Sequence, residues 1–293
     1  MNILQLIDAG AQQLVQAAVA FGHGTDNAFD EAAWLVLWQL GLPLDTPLAG
    51  DDSVADEVVT DEQQQAIAAL FDIRIRLRQP AAYLTHQAWL QGVPFYVDER
   101  TIVPRAFIAE LLVQGAIDPW LSPATVRVLD LCTGNGSLGV IAAMVYPEVG
   151  VIGADISADA LEVARINVAQ HELQHRIRLI ESDGLTSVDG SYDLILCNPP
   201  YVNAQSMTNL PPEYRAEPVL ALAGGSDGMD FIRRLLREAP AHMSENGVLV
   251  LEIGNERDNF EAAFAPVEAV WLETSAGADQ VLLLTRQALL ELH

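Results

Sequence analysis

Seven short apolar runs fill the chain from Thr125 onward, and their spacing leaves few folds open. "VRVLDL" (126–131), "VGVIGADI" (149–156), "RIRLIESD" (176–183), "YDLILC" (192–197), "GVLVLEI" (247–253), "VEAVWLE" (267–273) and "DQVLLLT" (279–285) largely alternate with helical stretches. Strands separated by helical patterns of roughly 10–15 residues build βαβ units and a largely parallel, doubly wound sheet. The last two runs lie close together, which predicts an antiparallel finish.

In such sheets, ligands bind outside the carboxyl ends of the strands. Four of those ends carry residues suited to a ligand. The first run leads into "DLCTGNGSLG", with Asp130 followed by Gly134 and Gly136 at the opening of a helix from about Ser137; glycines there let the backbone approach a ligand closely. The second ends in "GADIS", which puts Asp155 nineteen residues after Gly136. A carboxylate at that position takes both hydroxyls of a ribose, and Ser157 reads as a helix cap. The third ends in "IESDG", where Asp183 can accept from an adenine amine or cap a turn. The fourth stops at "CNPPY". Pro199 and Pro200 cannot donate ladder hydrogen bonds, so Asn198 stands at a strand end beside Tyr201.

A glycine loop, a ribose acid, an adenine acid and Asn-Pro-Pro-Tyr form one ordered set. The set resembles the S-adenosylmethionine-dependent methyltransferases that modify planar amino or amide nitrogens. Such a nitrogen is a poor nucleophile because its lone pair is delocalised. Asn198 Oδ1 and the Pro199 carbonyl can each accept one N–H of the target –NH2, which holds the nitrogen and stabilises the charge developing as the methyl arrives. The prolines fix where the carbonyls point, and Tyr201 can pack on the planar target. The tetrapeptide serves both adenine in DNA and glutamine in proteins, so it does not choose the substrate.

Charge narrows that choice. Forty acidic residues face 15 basic ones, a formal −25, and every basic residue is Arg. This balance disfavours nucleic acid, whose binding rests on neutralised phosphates, and favours a basic partner. No apolar run approaches the roughly 18 residues of a membrane span. "MNILQLIDAGAQQL" lacks a basic signal-peptide region. Cys132 and Cys197 have no metal-ligand spacing and read as buried small hydrophobes. A cytoplasmic protein with no metal is expected.

The first hundred or so residues read as helical. "TDNAFDEAAWLVLWQLGLP" offers Thr25 or Asp26 as N-cap of a helix that ends before Gly41 and Pro43. "AGDDSVADEVVTDEQQ" reads as a solvated loop before a second helix, about 62–78. Arg74 and Arg78 share one face of that helix, expected to be solvated or else to meet an acidic partner, while Arg76 points elsewhere. His23 in "GHGT" reads as a capping histidine in a helix-entry turn.

"FGHGTDNAFDEAAWLVL" (21–37), "PAAYLTHQAWLQGVPFYVDERTIVPR" (80–105) and "NPPYVNAQSMTNLPPEYRAEPVLALAGGSDGMDFIRRLL" (198–236) resemble the bacterial protein-glutamine methyltransferases. The first two are similar to the PrmB branch, which methylates a glutamine of a large-subunit ribosomal protein. The sister branch acts on release factors and lacks the "GHGTDNA" stretch. The resemblance runs from about Ile7 to Leu284. It implies an α/β fold: a Rossmann-like seven-stranded methyltransferase sheet, mostly parallel with the last strand antiparallel, beside a small helical N-terminal domain. The implied organisation is a helical substrate-recruiting domain over 1–90, a connector or hairpin over 91–118 and the methyltransferase domain over 119–293. The implied cofactor is S-adenosylmethionine, held by Asp130, Thr133, Gly134, Gly136, Asp155, Ile156, Asp183, Gly184, Asn198 and Arg105, with Asn198, Pro199 and Tyr201 as the catalytic set. The implied partner is a basic large-subunit ribosomal protein, with no sequence-specific nucleic acid and no membrane. Alternatives are a release-factor glutamine methyltransferase, a DNA adenine methyltransferase and a non-catalytic ribosome-assembly factor. Two departures stand out: Cys132 replaces the glycine of the general pattern, though cysteine recurs in this branch, and Ala106-Phe107 replaces the usual Ser-Pro after Arg105.

Overall fold

The computed structural model describes residues 1–292, and in it Met1–Gln87 and Leu210–Ala216 form a helical unit. Its helices are α1 (Ile3–Gln16), α2 (Ala28–Gln39), α3 (Asp61–Leu77) and α4 (Ala81–Thr85). The three long ones start on side-chain caps: Asn2, Asn27 and Thr60 accept from the backbone N–H of Gln5, Asp30 and Gln63. Short polar side chains do this because the first turn leaves its N–H groups without partners. The cap of α2 is therefore Asn27, not Thr25 or Asp26; the Thr25 hydroxyl instead faces Glu31. Ile7, Leu14, Leu35, Ile67 and Phe71 are buried in this unit. Gly10 lets α1 approach closely, since an added Cβ would fall 2.2 Å from the Phe71 ring.

On the Arg74–Arg78 face of α3, Arg78 is half-buried and Arg74 is not solvated at all. Arg74 has 0% exposure, and its Nε donates to Glu31 at 2.8 Å. Glu213 lies 3.5 Å from Arg74 Nη1 and 2.9 Å from Arg78 Nη1. Arg76 points elsewhere, as expected, and is 65% exposed beside Asp72. Helical periodicity could not show this, because Glu213 lies 139 positions from Arg74. His23 does not cap α2 either; it is buried, its ring 4.2 Å from that of Tyr214.

The second unit comprises Ala88–Asn209 and Glu217–His293. It opens with a hairpin of β1 (Ala88–Leu90) and β2 (Val93–Phe95), turning through Gln91 and Gly92, both at positive φ as a type I′ turn requires. There follow α5 (Phe107–Val113), β3 (Arg127–Leu131), α6 (Ser137–Val145), β4 (Gly150–Asp155), α7 (Ala158–Gln170), β5 (Ile177–Glu181) and β6 (Tyr192–Cys197). Next come α8 (Ala204–Asn209), α9 (Asp230–Glu238), β7 (Met243–Glu252), α10 (Arg257–Ala263), β8 (Val270–Thr274), β9 (Gly277–Thr285) and α11 (Arg286–Glu291). The sheet order is β5-β4-β3-β6-β7-β9-β8. β9, last in the chain, runs antiparallel and inserts between β7 and β8.

Because both sheet faces are covered, successive strand residues feed two cores. Leu194, Leu196, Val248 and Val250 pack with Ile108 of α5 and Ile141 of α6. Ile195, Cys197, Leu249 and Leu251 pack with Ile232 and Leu236 of α9. From β3 the order runs one way to β4 and the other way to β6. A crevice for ligands is expected at that switch point, beyond the carboxyl ends.

Candidate active site

A cleft lies there, lined by residues from the carboxyl ends of β3, β4 and β6 and from the segment after β5, where a doubly wound sheet places its ligand. Of the sequence-predicted residues, Gly134, Asp155, Ile156, Asp183, Gly184 and Asn198 line it; Pro200, Leu220 and Phe231 do so as well. Asp130, Thr133, Gly136, Pro199, Tyr201 and Arg105 do not form its wall.

Asp130 builds the loop from beneath. It is fully buried; Oδ2 accepts from the Gly139 N–H at 2.9 Å and from the Thr133 hydroxyl, while Oδ1 has no partner. Burial pushes its pKa up to about 7. Cys132 takes a left-handed conformation, φ 59, which is why the general pattern favours glycine there. It is half-buried and lines the cleft, so the expectation of a buried hydrophobe holds for Cys197 alone. Gly134 stands in open space, with no atom within 4 Å of an added Cβ. Gly136 packs α6 on α7, an added Cβ meeting Ala164 Cβ at 3.1 Å.

Asp155 is preset at the end of β4. Oδ2 accepts from the Gly134 N–H and Oδ1 from the Ser157 N–H, each at 2.9 Å. Each oxygen keeps a second lone pair, so the carboxylate can take two vicinal hydroxyls. Burial raises its pKa while the backbone donors oppose that shift. Asp183 is half-exposed and pairs with Arg234 at 2.5 Å; this guanidinium lowers its pKa. Ser157 caps α7 as expected, accepting from the Ala160 N–H.

At the end of β6, Asn198 is half-buried and Pro199 buried. Tyr201 sits in a cradle of glycines. An added Cβ at Gly224 would lie 2.7 Å from Tyr201 Cα, at Gly228 2.3 Å from Tyr201 O, and at Gly254 2.6 Å from the ring. Val202 closes the cradle, donating to Leu222 O at 2.8 Å and accepting from the Gly224 N–H at 2.9 Å. Burial, with Glu252 second, raises the Tyr201 hydroxyl pKa, so the ring stays neutral. Arg105 makes two contacts to Glu217, 2.6 and 2.8 Å, and Glu217 also accepts from the Val103 N–H at 2.9 Å. The Val-Pro-Arg stretch is thereby tied to the segment returning from Asn198.

Sequence reasoning missed Cys132, Leu220, Phe231 and residues 100–102 as lining groups. Phe231 carried one signal, an aromatic in the first turn of a helix directly after a glycine-rich loop. Residues 100–102 immediately precede the Val103-Pro-Arg stretch, and their only signal was that neighbourhood.

These residues fit S-adenosylmethionine. Asp155 offers paired acceptors to ribose hydroxyls, Ile156, Leu220 and Phe231 offer an apolar wall, and the Gly134 backbone is open to close approach. A charge-assisted bond contributes roughly 1.5–3 kcal/mol. Asp155→Ala is therefore expected to weaken cofactor binding about tenfold or more; unchanged affinity by calorimetry in a folded variant would remove Asp155 from the site.

Residues 109–211 match the family model "Methyltransferase small domain". Two solved structures share the fold: the hMettl16 catalytic domain in complex with MAT2A 3′UTR hairpin 1 (TM-score 0.53, 13% identity, 86% of this chain and 89% of that one) and a Pyrococcus furiosus methyltransferase (TM-score 0.50, 17% identity, 78% and 99%). The "Ribosomal protein uL3 glutamine methyltransferase" of Bordetella pertussis is 52% identical over 291 residues, 98% of this chain and 96% of the relative. Its Burkholderia pseudomallei namesake is 49% identical over 293 residues, covering 97% and 94%. With the cleft, the aspartates and the Asn-Pro-Pro-Tyr end of β6 in one unit, the chain belongs to the ribosomal protein uL3 glutamine methyltransferase family.

Proposed function

We propose that this chain transfers a methyl group from S-adenosylmethionine to the side-chain amide nitrogen of a glutamine in ribosomal protein uL3. The observation that carries the reading is Asn198-Pro-Pro-Tyr at the end of β6, with Asn198 and Pro200 on the cleft and Tyr201 locked behind it. The bound cofactor supplies an electrophilic methyl carried by a sulfonium. Asn198 Oδ1 and the Pro199 carbonyl accept the two amide N–H groups, which presents the nitrogen and stabilises its growing positive charge. Tyr201, kept neutral and seated against Gly224, Gly228 and Gly254 behind the cleft wall, steadies the turn that presents the amide and bears no proton-transfer role. Once the nitrogen is cationic its proton is acidic, so no strong base is required. Asp155 orients the ribose end, and Asp130 keeps the glycine loop in shape through Thr133 and Gly139.

The helical unit recruits the ribosomal protein, and the −25 charge draws that basic partner while disfavouring nucleic acid. The reaction takes place in the cytoplasm, where ribosomal proteins are made. If the field steers encounter, association slows as salt screens it over about 8–10 Å; stopped-flow rates that stay flat from low to moderate salt would reduce the acidity to a solubility trait. The function itself is tested by adding the protein and tritiated S-adenosylmethionine to extract from a strain lacking it. One labelled band, uL3, is expected; label on a release factor or on DNA would replace the proposed substrate.

A further inference from the structure

The loop that begins at Asn198 does not stay in the methyltransferase unit. After α8 the chain contributes Leu210–Ala216 to the helical unit and returns at Glu217. Both ends in the methyltransferase unit are pinned, one by the Val202 bonds to Leu222 and Gly224, the other by Glu217 on Arg105 and Val103. Its middle is pinned within the helical unit. Glu213 is fully buried there, and its Oε1 is shared by Arg78 at 2.9 Å and Arg74 at 3.5 Å, while Oε2 has no donor. Arg74 is itself held by Glu31. Beside them the Tyr214 ring rests on His23, and an added Cβ at Gly22 would fall 2.2 Å from the Tyr214 hydroxyl oxygen. The "GHGTDNA" stretch thus receives Tyr214, and α2 and α3 supply the charges around Glu213.

We infer that Arg74, Arg78, Gly22 and His23 are positioning residues for methyl transfer. They hold the middle of the loop whose start presents the target amide, so the recruiting unit also sets the catalytic loop. Two guanidinium groups and two carboxylates balance in this cluster, and neutralising one carboxylate leaves buried positive charge in excess. Glu213→Gln does so with little change in shape. Gly22→Ala attacks the same attachment without touching a charge, by displacing Tyr214. A small displacement of a group that presents a substrate costs turnover rather than cofactor binding.

The inference rests on the proposed function, and the test separates the two. Wild type, Glu213→Gln, Gly22→Ala and Arg76→Gln, the last on the exposed face of α3, are assayed with purified uL3. Hydrogen exchange and S-adenosylmethionine affinity are measured in parallel. Glu213→Gln and Gly22→Ala are each expected to lower kcat about tenfold or more. Exchange should quicken over residues 203–216, with cofactor affinity, the protection of β3 and β6, and Arg76→Gln activity unchanged. Wild-type kcat in a variant whose loop exchanges faster would overturn the inference. So would unchanged loop exchange, or a loss of cofactor affinity and strand protection in step with kcat. A wild-type protein inactive on uL3 would overturn the proposed function and this inference with it.

Discussion

Asn198→Ala is expected to lower kcat for methyl transfer on the order of 100-fold or more while leaving S-adenosylmethionine affinity within a few-fold, by analogy with removal of one preorganised polar partner. The target nitrogen enters as an amide with a delocalised lone pair and leaves the transition state as a developing cation. An acceptor fixed at the strand end interacts more strongly with the second than with the first, so its loss falls on turnover rather than on binding. Asn198 is suited to this because the β6 strand ends at Cys197 and the two prolines prevent any further ladder. Asn198→Asp keeps an acceptor and loses only the NH2 that orients it, so it should retain more activity than Asn198→Ala. Turnover and cofactor affinity for each variant settle the matter; near-normal turnover in Asn198→Ala would leave the two prolines as a turn and nothing more.

Gly228→Ala is expected to cost a comparable factor, although residue 228 is absent from the cleft wall. A Cβ there would sit 2.3 Å from the backbone oxygen of Tyr201, and Gly228 has φ +80, which an L side chain tolerates poorly. The neighbouring contact is backbone, so the Asn-Pro-Pro-Tyr turn itself has to shift. A displacement of about 1 Å at a substrate-presenting group can cost about 100-fold in rate. The effect should appear in kcat with cofactor affinity nearly intact, because Asp155 and the Gly134 backbone are elsewhere in the cleft. A Gly228→Ala variant with normal kcat would show that the cradle does not fix the motif.

The parts of this molecule that were legible in the sequence are the ones written in local pattern. Each of the seven apolar runs became a strand because short β-rich segments bounded by turn residues have few other places to bury themselves. Asp155 could be placed by counting from Gly136, since strand and helix lengths fix where β4 ends. What stayed hidden depends on partners far along the chain. Nothing around Arg74 announces that its counter-charges are Glu31 and Glu213, so a helix face that reads as solvated is the centre of a buried cluster. The pairing of Arg105 with Glu217 was hidden as well, because the loop that starts at Asn198 brings the carboxylate to it. The apolar wall of Leu220 and Phe231 was hidden for the same reason, as was the insertion of β9 between β7 and β8, where sequence patterning fixes direction but not order.

The central claim is that this site methylates a glutamine side-chain amide of uL3. The most direct measurement incubates purified protein, purified uL3 and S-adenosylmethionine, then locates the added methyl by fragment mass spectrometry, with Asn198→Ala in parallel. The account predicts one methyl on the side-chain nitrogen of a single glutamine, formed by the wild type and reduced on the order of 100-fold in the variant. A methyl on another residue type, or none on uL3 from a wild-type protein that binds the cofactor, would contradict it.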